Sequence, residues 1–188
     1  MKRKAGDCIV YIVISYVIGT FMTAWFIGKL RGQDLRELHS GNLGARNAGR
    51  TFGKGAFVIT AAGDVLKGVA VVLFGRYLGI SETLVAAAIL AVVCGHLYPF
   101  WLRWRGGKGV ATVLGAMLMF SWQASIICAL SFLFIFLIKR SATLSLVAGF
   151  IAYSIAIISW QVEGFTYITF AILLVIWKHR ENISKRVK

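Results

Sequence analysis

"GVATVLGAMLMFSWQASIICALSFLFIFLI", residues 109–138, decides how this chain folds. The run is long for one helical crossing of a membrane and short for two, since about 20 helical residues cover a hydrocarbon core of roughly 30 Å. In its middle, "SWQAS" (121–125) brings two serines, a glutamine and a tryptophan of the kind that favours a membrane interface. That group reads as a turn between two short helices.

The rest of the chain shares the same apolar character. Hydrophobic residues make up 59% of 188 residues, and the mean hydropathy is +0.77. A soluble domain of this length cannot hide so much apolar surface, whereas several helices in lipid can. Alternation at period two is absent, which argues against an outer-membrane barrel. The fold class expected is an all-α integral membrane protein. It is read as one domain over 1–188, a compact bundle of seven helices with spans near 8–28, 55–75, 83–102, 109–120, 123–138, 142–160 and 164–178.

Charge placement supports the split of 109–138. With seven spans, segments 29–54, 103–108, 139–141 and 178–188 fall on one side, and they hold 16 of the 21 Lys and Arg residues. A single crossing would move the cationic C-terminal tail to the opposite face. The positive-inside bias therefore favours seven spans with the C-terminus in the cytoplasm. Lys2, Arg3 and Lys4 fall outside in that scheme. They resemble a signal-peptide n-region, but no cleavage site follows, so 8–28 reads as a retained helix. The net charge of +14 sits in short blocks between spans, and nucleic acid is not an expected partner. Cys8, Cys94 and Cys128 lie in or beside apolar stretches without metal spacing and read as small hydrophobes.

Every polar motif lands on that same face: "SGNLGARNAGR" (40–50), "RGGKGVAT" (105–112), "KRSATLS" (139–145) and "KHREN" (178–182). Glycines let backbone N–H groups approach an anion closely. Ser40, Asn42 and Asn47 add neutral hydrogen-bonding groups, and Arg46 and Arg50 are bidentate phosphate partners. Gly107 and Lys108 repeat the design just before a helix whose N-terminus favours anions. Asp64 and Lys67, three residues apart inside the second span, share a helix face and read as a functional or self-neutralising pair. His96 reads as a structural residue or a base. Glu181 and Asn182 suit a polar pocket wall.

Familiar catalytic layouts are missing. A P-loop needs a glycine five residues before its Gly-Lys pair, where Leu102 and Ala48 stand. Five residues after His39, His96 and His179 come Gly44, Trp101 and Ser184, so no His-Asp acyltransferase pair exists. The seven acidic residues are scattered, and no carboxylate cluster for Mg²⁺ forms.

"SGNLGARNAGR", "GHLYP" (95–99), "GGKGVAT" and "HREN", in this order and spacing, closely resemble the bacterial membrane glycerol-3-phosphate acyltransferase family called PlsY. The resemblance implies transfer of an acyl chain from acyl phosphate to the 1-hydroxyl of glycerol 3-phosphate, giving lysophosphatidic acid and phosphate. It implies the bacterial cytoplasmic membrane as location, membrane lipid as surroundings, and no metal or organic cofactor. By the same resemblance, Ser40, Lys108 and His179 are catalytic candidates. Gly41, Asn42, Gly44, Asn47, Arg50, Gly107, Thr143 and Asn182 are candidates for binding the two phosphorylated substrates. A phosphate oxygen of a bound substrate competes with His179 as base. A bundle of this size is expected to act as a monomer.

Three departures from the family pattern stand out. Arg46 takes the place of a threonine, and Thr143 that of a serine. The first span has "GTFMTA" (19–24) without the family's proline, so neither the family's kink there nor the neighbouring pocket is implied for this chain. These departures keep open a divergent relative with another phosphorylated acceptor, or a non-catalytic phosphate- or lipid-binding protein. An anion transporter is the remaining alternative, although no inverted repeat marks the chain.

Overall fold

The structure, a computed structural model, describes residues 5–187 and the side chains of 6–184. Lys2, Arg3 and Lys4, placed outside by the charge argument, lie beyond the described residues. The described chain is helical: α1 (Ala5–Thr20), α2 (Thr23–Leu30), α3 (Ala45–Phe52), α4 (Lys54–Tyr77), α5 (Glu82–Leu97), α6 (Val110–Phe120), α7 (Trp122–Lys139), α8 (Ala142–Ser159), α9 (Phe165–Lys178) and α10 (Arg180–Val187). Five stretches are long and apolar enough to cross a membrane, α1 and α2 counting as one, and α6 and α9 are shorter apolar helices. Large apolar side chains such as Leu66, Leu130, Phe134, Leu137 and Leu173 lie exposed on their outer faces, where lipid is the compatible solvent.

Residues 109–138 form two helices, as the polar group at 121–125 suggests. Ser121 adopts an extended backbone between them and caps α7, its hydroxyl accepting from the Ala124 N–H. The last carbonyls of α6 are met from outside. Arg76 Nη1 donates to the Met119 carbonyl over 2.6 Å and Nη2 to that of Phe120 over 3.0 Å. The same guanidinium holds Glu82 bidentately at 2.9 and 3.0 Å, so one side chain ties together the α4–α5 turn and the end of α6.

The first span is broken at Phe21–Met22 without a proline. Its cause is a set of side chains that take the carbonyls a continuing helix would use. Lys67 Nζ donates to the Gly19 and Phe21 carbonyls at 3.1 and 3.0 Å, and Trp101 Nε1 donates to that of Thr20 at 3.2 Å. The Thr20 hydroxyl turns back to the Val17 carbonyl at 2.8 Å.

Glycines bring the helices close in pairs, as lipid-embedded packing requires. Gly19 and Gly95 seat α1 on α5 against the backbones of Val92 and Tyr16. Gly68 and Gly115 seat α4 on α6 against Thr112 and Val65, and Gly149 seats α8 on Cys128 of α7. The main core runs between them through residues such as Ile89, Val92, Val113, Met117, Phe150, Tyr153 and Ile172. A second, smaller core of Met22, Ala24, Leu35, Leu43, Ala48, Ala56 and Leu102 lies beneath the 31–44 loop. That loop is therefore folded. Asp34 and Arg36 brace it with a bidentate pair, the closest contact being 2.6 Å, and the guanidinium holds the Asp34 carboxyl down at about 2.

Candidate active site at one end of the bundle

The four polar motifs meet at one end of the bundle. Ser40, Asn42 and Gly44 from the loop, Arg46, Asn47 and Arg50 from α3, Lys108 ahead of α6, Thr143 from α8, and His179 and Asn182 beyond α9 line a single cavity of about 670 Å³. Its other wall is apolar, with Phe57, Ala61 and Val65 from α4, Val110 and Leu114 from α6, and Leu146 from α8. Phe57 and Leu114 on that wall are accessible, at 46% and 36%.

Two helices begin at this wall. α3 starts after Gly44 and α6 after Gly109, and neither N-cap carries a side chain to satisfy the first turn. Such termini attract anions through their N–H groups and dipole. Gly109 has φ +80°, and a Cβ there would press on Leu97 and Val175, so only glycine fits. Arg46, Arg50 and Lys108 add three cations to the same cavity. Asp64 is the one carboxylate among the described lining residues, and Lys67 neutralises it at 3.1 Å. The cavity is a cationic chamber with an apolar side.

Asn47 is buried, and its amide is engaged with the loop. Nδ2 donates to the Leu35 and Leu38 carbonyls at 3.0 and 3.2 Å, while Oδ1 accepts from the Ser40 N–H at 3.5 Å. Its geometry is that of a brace that places Ser40. Gly41, at φ +64°, and Gly107 do not line the cavity. Gly107 lies against the His96 ring, where a Cβ would collide with Nε2. Glu181 is exposed, and Asn182 alone of that pair reaches the wall.

His179 Nδ1 lies 2.9 Å from the Val175 carbonyl. Burial lowers its proton affinity below the usual histidine value; the Val175 bond opposes this, and the nearby Lys108 and Arg46 charges add smaller lowering effects.

Sequence reasoning missed that His96 and Asp64 belong to the cavity wall and that Lys67 meets His96 Nδ1, at 2.6 Å. The intramembrane Asp64–Lys67 pair was the available signal. Which way its helix face turned was not legible.

Residues 9–188 match the family model described as glycerol-3-phosphate acyltransferase. A glycerol-3-phosphate acyltransferase 1 of Bacillus cereus is 36% identical over 179 residues, covering 91% of this chain and 96% of that relative. A glycerol-3-phosphate acyltransferase of Geotalea daltonii is 39% identical over 180 residues, covering 94% and 92%. The solved structure of PlsY, described as an integral membrane glycerol 3-phosphate acyltransferase in its glycerol 3-phosphate form, superposes with a TM-score of 0.87. It is 32% identical, covering 97% of this chain and 92% of that one. Its lysophosphatidic acid form gives 0.84 at 31% identity over the same shares of the two chains. With apolar helices, cavity and sequence all in agreement, this multi-pass membrane chain belongs to the glycerol-3-phosphate acyltransferase family.

Proposed function

We propose that the chain transfers an acyl group from acyl phosphate to the 1-hydroxyl of glycerol 3-phosphate, releasing lysophosphatidic acid and phosphate. One observation carries this reading: a chamber with three cations and two helix N-termini has an apolar second wall. That chamber suits two phosphates, and the wall suits one long chain.

Ser40 and Lys108 hold the acyl phosphate and stabilise charge on the leaving phosphate. Arg50, Thr143, His179 and Asn182 hold glycerol 3-phosphate. The acceptor oxygen attacks the acyl carbonyl carbon, the bond from that carbon to the phosphate oxygen breaks, and phosphate leaves. His179 takes the hydroxyl proton on Nε2 and returns it to the departing phosphate. Acyl phosphate is an activated mixed anhydride, so positioning and charge stabilisation supply most of the acceleration.

The cavity end carries the cationic loops, and it faces the cytoplasm of a bacterial inner membrane on the positive-inside argument. The bundle completes its cavity from one chain, which suits a monomer. The test is acyl transfer from palmitoyl phosphate to labelled glycerol 3-phosphate by the purified protein in lipid, with palmitoyl-CoA and Lys108→Ala in parallel. Product from the acyl phosphate alone, lost in the variant, is the expected result. No product from either donor, with folded protein, overturns the reading.

A further inference from the structure

A buried polar cluster stands behind the cavity. Lys67 Nζ lies 3.1 Å from Asp64 Oδ1, 2.6 Å from His96 Nδ1, and 3.1 and 3.0 Å from the carbonyl oxygens of Gly19 and Phe21. An ammonium offers three protons and accepts none, so it is shared among these groups and His96 Nδ1 is an acceptor. The proton of the neutral ring is then on Nε2, the atom that abuts Gly107. The backbone continues this support. The Gly107 N–H donates to the His96 carbonyl at 3.1 Å, and the Gly106 N–H donates to that of Leu97 at 3.3 Å.

We propose that Lys67 is a positioning residue for Lys108. Its ammonium locks the break in the first span, Asp64 and His96 into one block, and the Gly106–Gly107 turn is pressed on that block so that Lys108 is presented to the cavity. The inference rests on the reading that Lys108 meets phosphate. A buried ion pair is a poor source of stability, since desolvation offsets the attraction, and charges at membrane depth are costly. A cluster that reaches from a helix break to the turn before a cavity lysine has a use that stability alone does not supply.

The full chain in lipid nanodiscs tests this by titration with inorganic phosphate. Lys108→Ala is expected to weaken phosphate binding by about tenfold or more, as loss of a charge-assisted contact does. Asp64→Leu combined with Lys67→Met replaces the ion pair by apolar groups of similar volume, a change that buried pairs often tolerate. This paired variant is expected to remain folded, to lose phosphate affinity to a similar degree, and to lower kcat. The paired change removes one charge of each sign and leaves the net charge of the wall unaltered, so such a loss points to displaced Lys108. Combined with Lys108→Ala, the paired change is expected to add nothing further. His96→Ala, which keeps the Asp64–Lys67 pair and removes the support behind Gly107, is expected to behave the same way and serves if the paired variant does not fold. Wild-type phosphate affinity in a folded paired or His96 variant, or losses that add to that of Lys108→Ala, overturns the proposal. Unchanged phosphate binding in Lys108→Ala itself removes the reading of Lys108 on which the proposal stands, an outcome distinct from failure of the block alone.

Discussion

Nδ1 of His179 lies 2.9 Å from the carbonyl oxygen of Val175, one turn back along α9. A carbonyl only accepts, so the neutral ring carries its proton on Nδ1 and its lone pair on Nε2. The ring's burial opposes a second proton most, the Val175 bond favours it, and the Lys108 and Arg46 charges add smaller opposition.

Activity that needs neutral His179 is therefore expected to fall only as the pH drops below the ordinary histidine value of about 6.5. Arg46→Thr removes one of the opposing charges, so the acid limb of kcat/KM is expected to move to higher pH. Stability follows the same sign. Below about pH 6.5 the unfolded chain binds the proton more readily than the folded one, so this group's contribution is present above that pH and fades as pH falls. A pH profile of kcat/KM for the two proteins checks the shift, and a limb that does not move removes Arg46 from the electrostatics of the base.

Asn47 braces the loop through two carbonyls and one N–H. Asn47→Ala leaves the Leu35 and Leu38 carbonyls without that donor and is expected to cost about 1–3 kcal/mol. Asn47→Asp is expected to cost more, because a carboxylate oxygen would face those carbonyls. Thermal unfolding, with limited proteolysis across 31–44, measures both. Equal stability of the two variants would mean that the amide donors do not hold the loop.

At the opposite end, Arg76→Met is expected to lower stability by about 1–3 kcal/mol, and Glu82→Gln by less. The ion pair is about 40% exposed on each side, whereas the guanidinium bonds to Met119 and Phe120 cap a helix end. Comparison of unfolding midpoints decides it. A larger effect from Glu82→Gln would place the energy in the ion pair.

Glycines of α4 give a paired expectation. Gly68→Ala drives a methyl into the Thr112 backbone and is expected to destabilise by about 1–3 kcal/mol through overpacking. Gly55→Ala meets no atom within 4 Å and is expected to stabilise by about 0.5–1 kcal/mol through helix propensity. Unfolding of both single variants tests whether close approach, and not glycine content, holds α4 on α6.

Much of this architecture was legible because apolar run length is a one-dimensional property. The expected spans 55–75 and 123–138 nearly coincide with α4 and α7, and the turn at "SWQAS" falls where α6 gives way to α7. Contacts across helices were not legible, because they depend on how each helix is rotated about its axis. The break at Phe21 lacks a proline, and its cause lies 46 residues away in Lys67. Asn47 was visible as a loop amide, but its partners Leu35 and Leu38 were not. Arg46, Lys108 and His179 could be expected to converge because their motifs share a face. That His96 stands behind Gly107, and not simply near the third span's end, depends on how α5 is rotated against the 105–109 turn.

α6 is too short to cross a hydrocarbon core by itself. Eleven residues rise about 16 Å, roughly half the thickness of the hydrocarbon core. The helix starts at the cavity wall. An acyl phosphate bound as proposed lays its tail along the apolar wall of Phe57 and Leu114 while its head meets the cationic one. Glycerol 3-phosphate, the proposed acceptor, is held from the polar loops on the other side of the same chamber. One cavity thus sorts an oily reactant and a polar one to opposite walls.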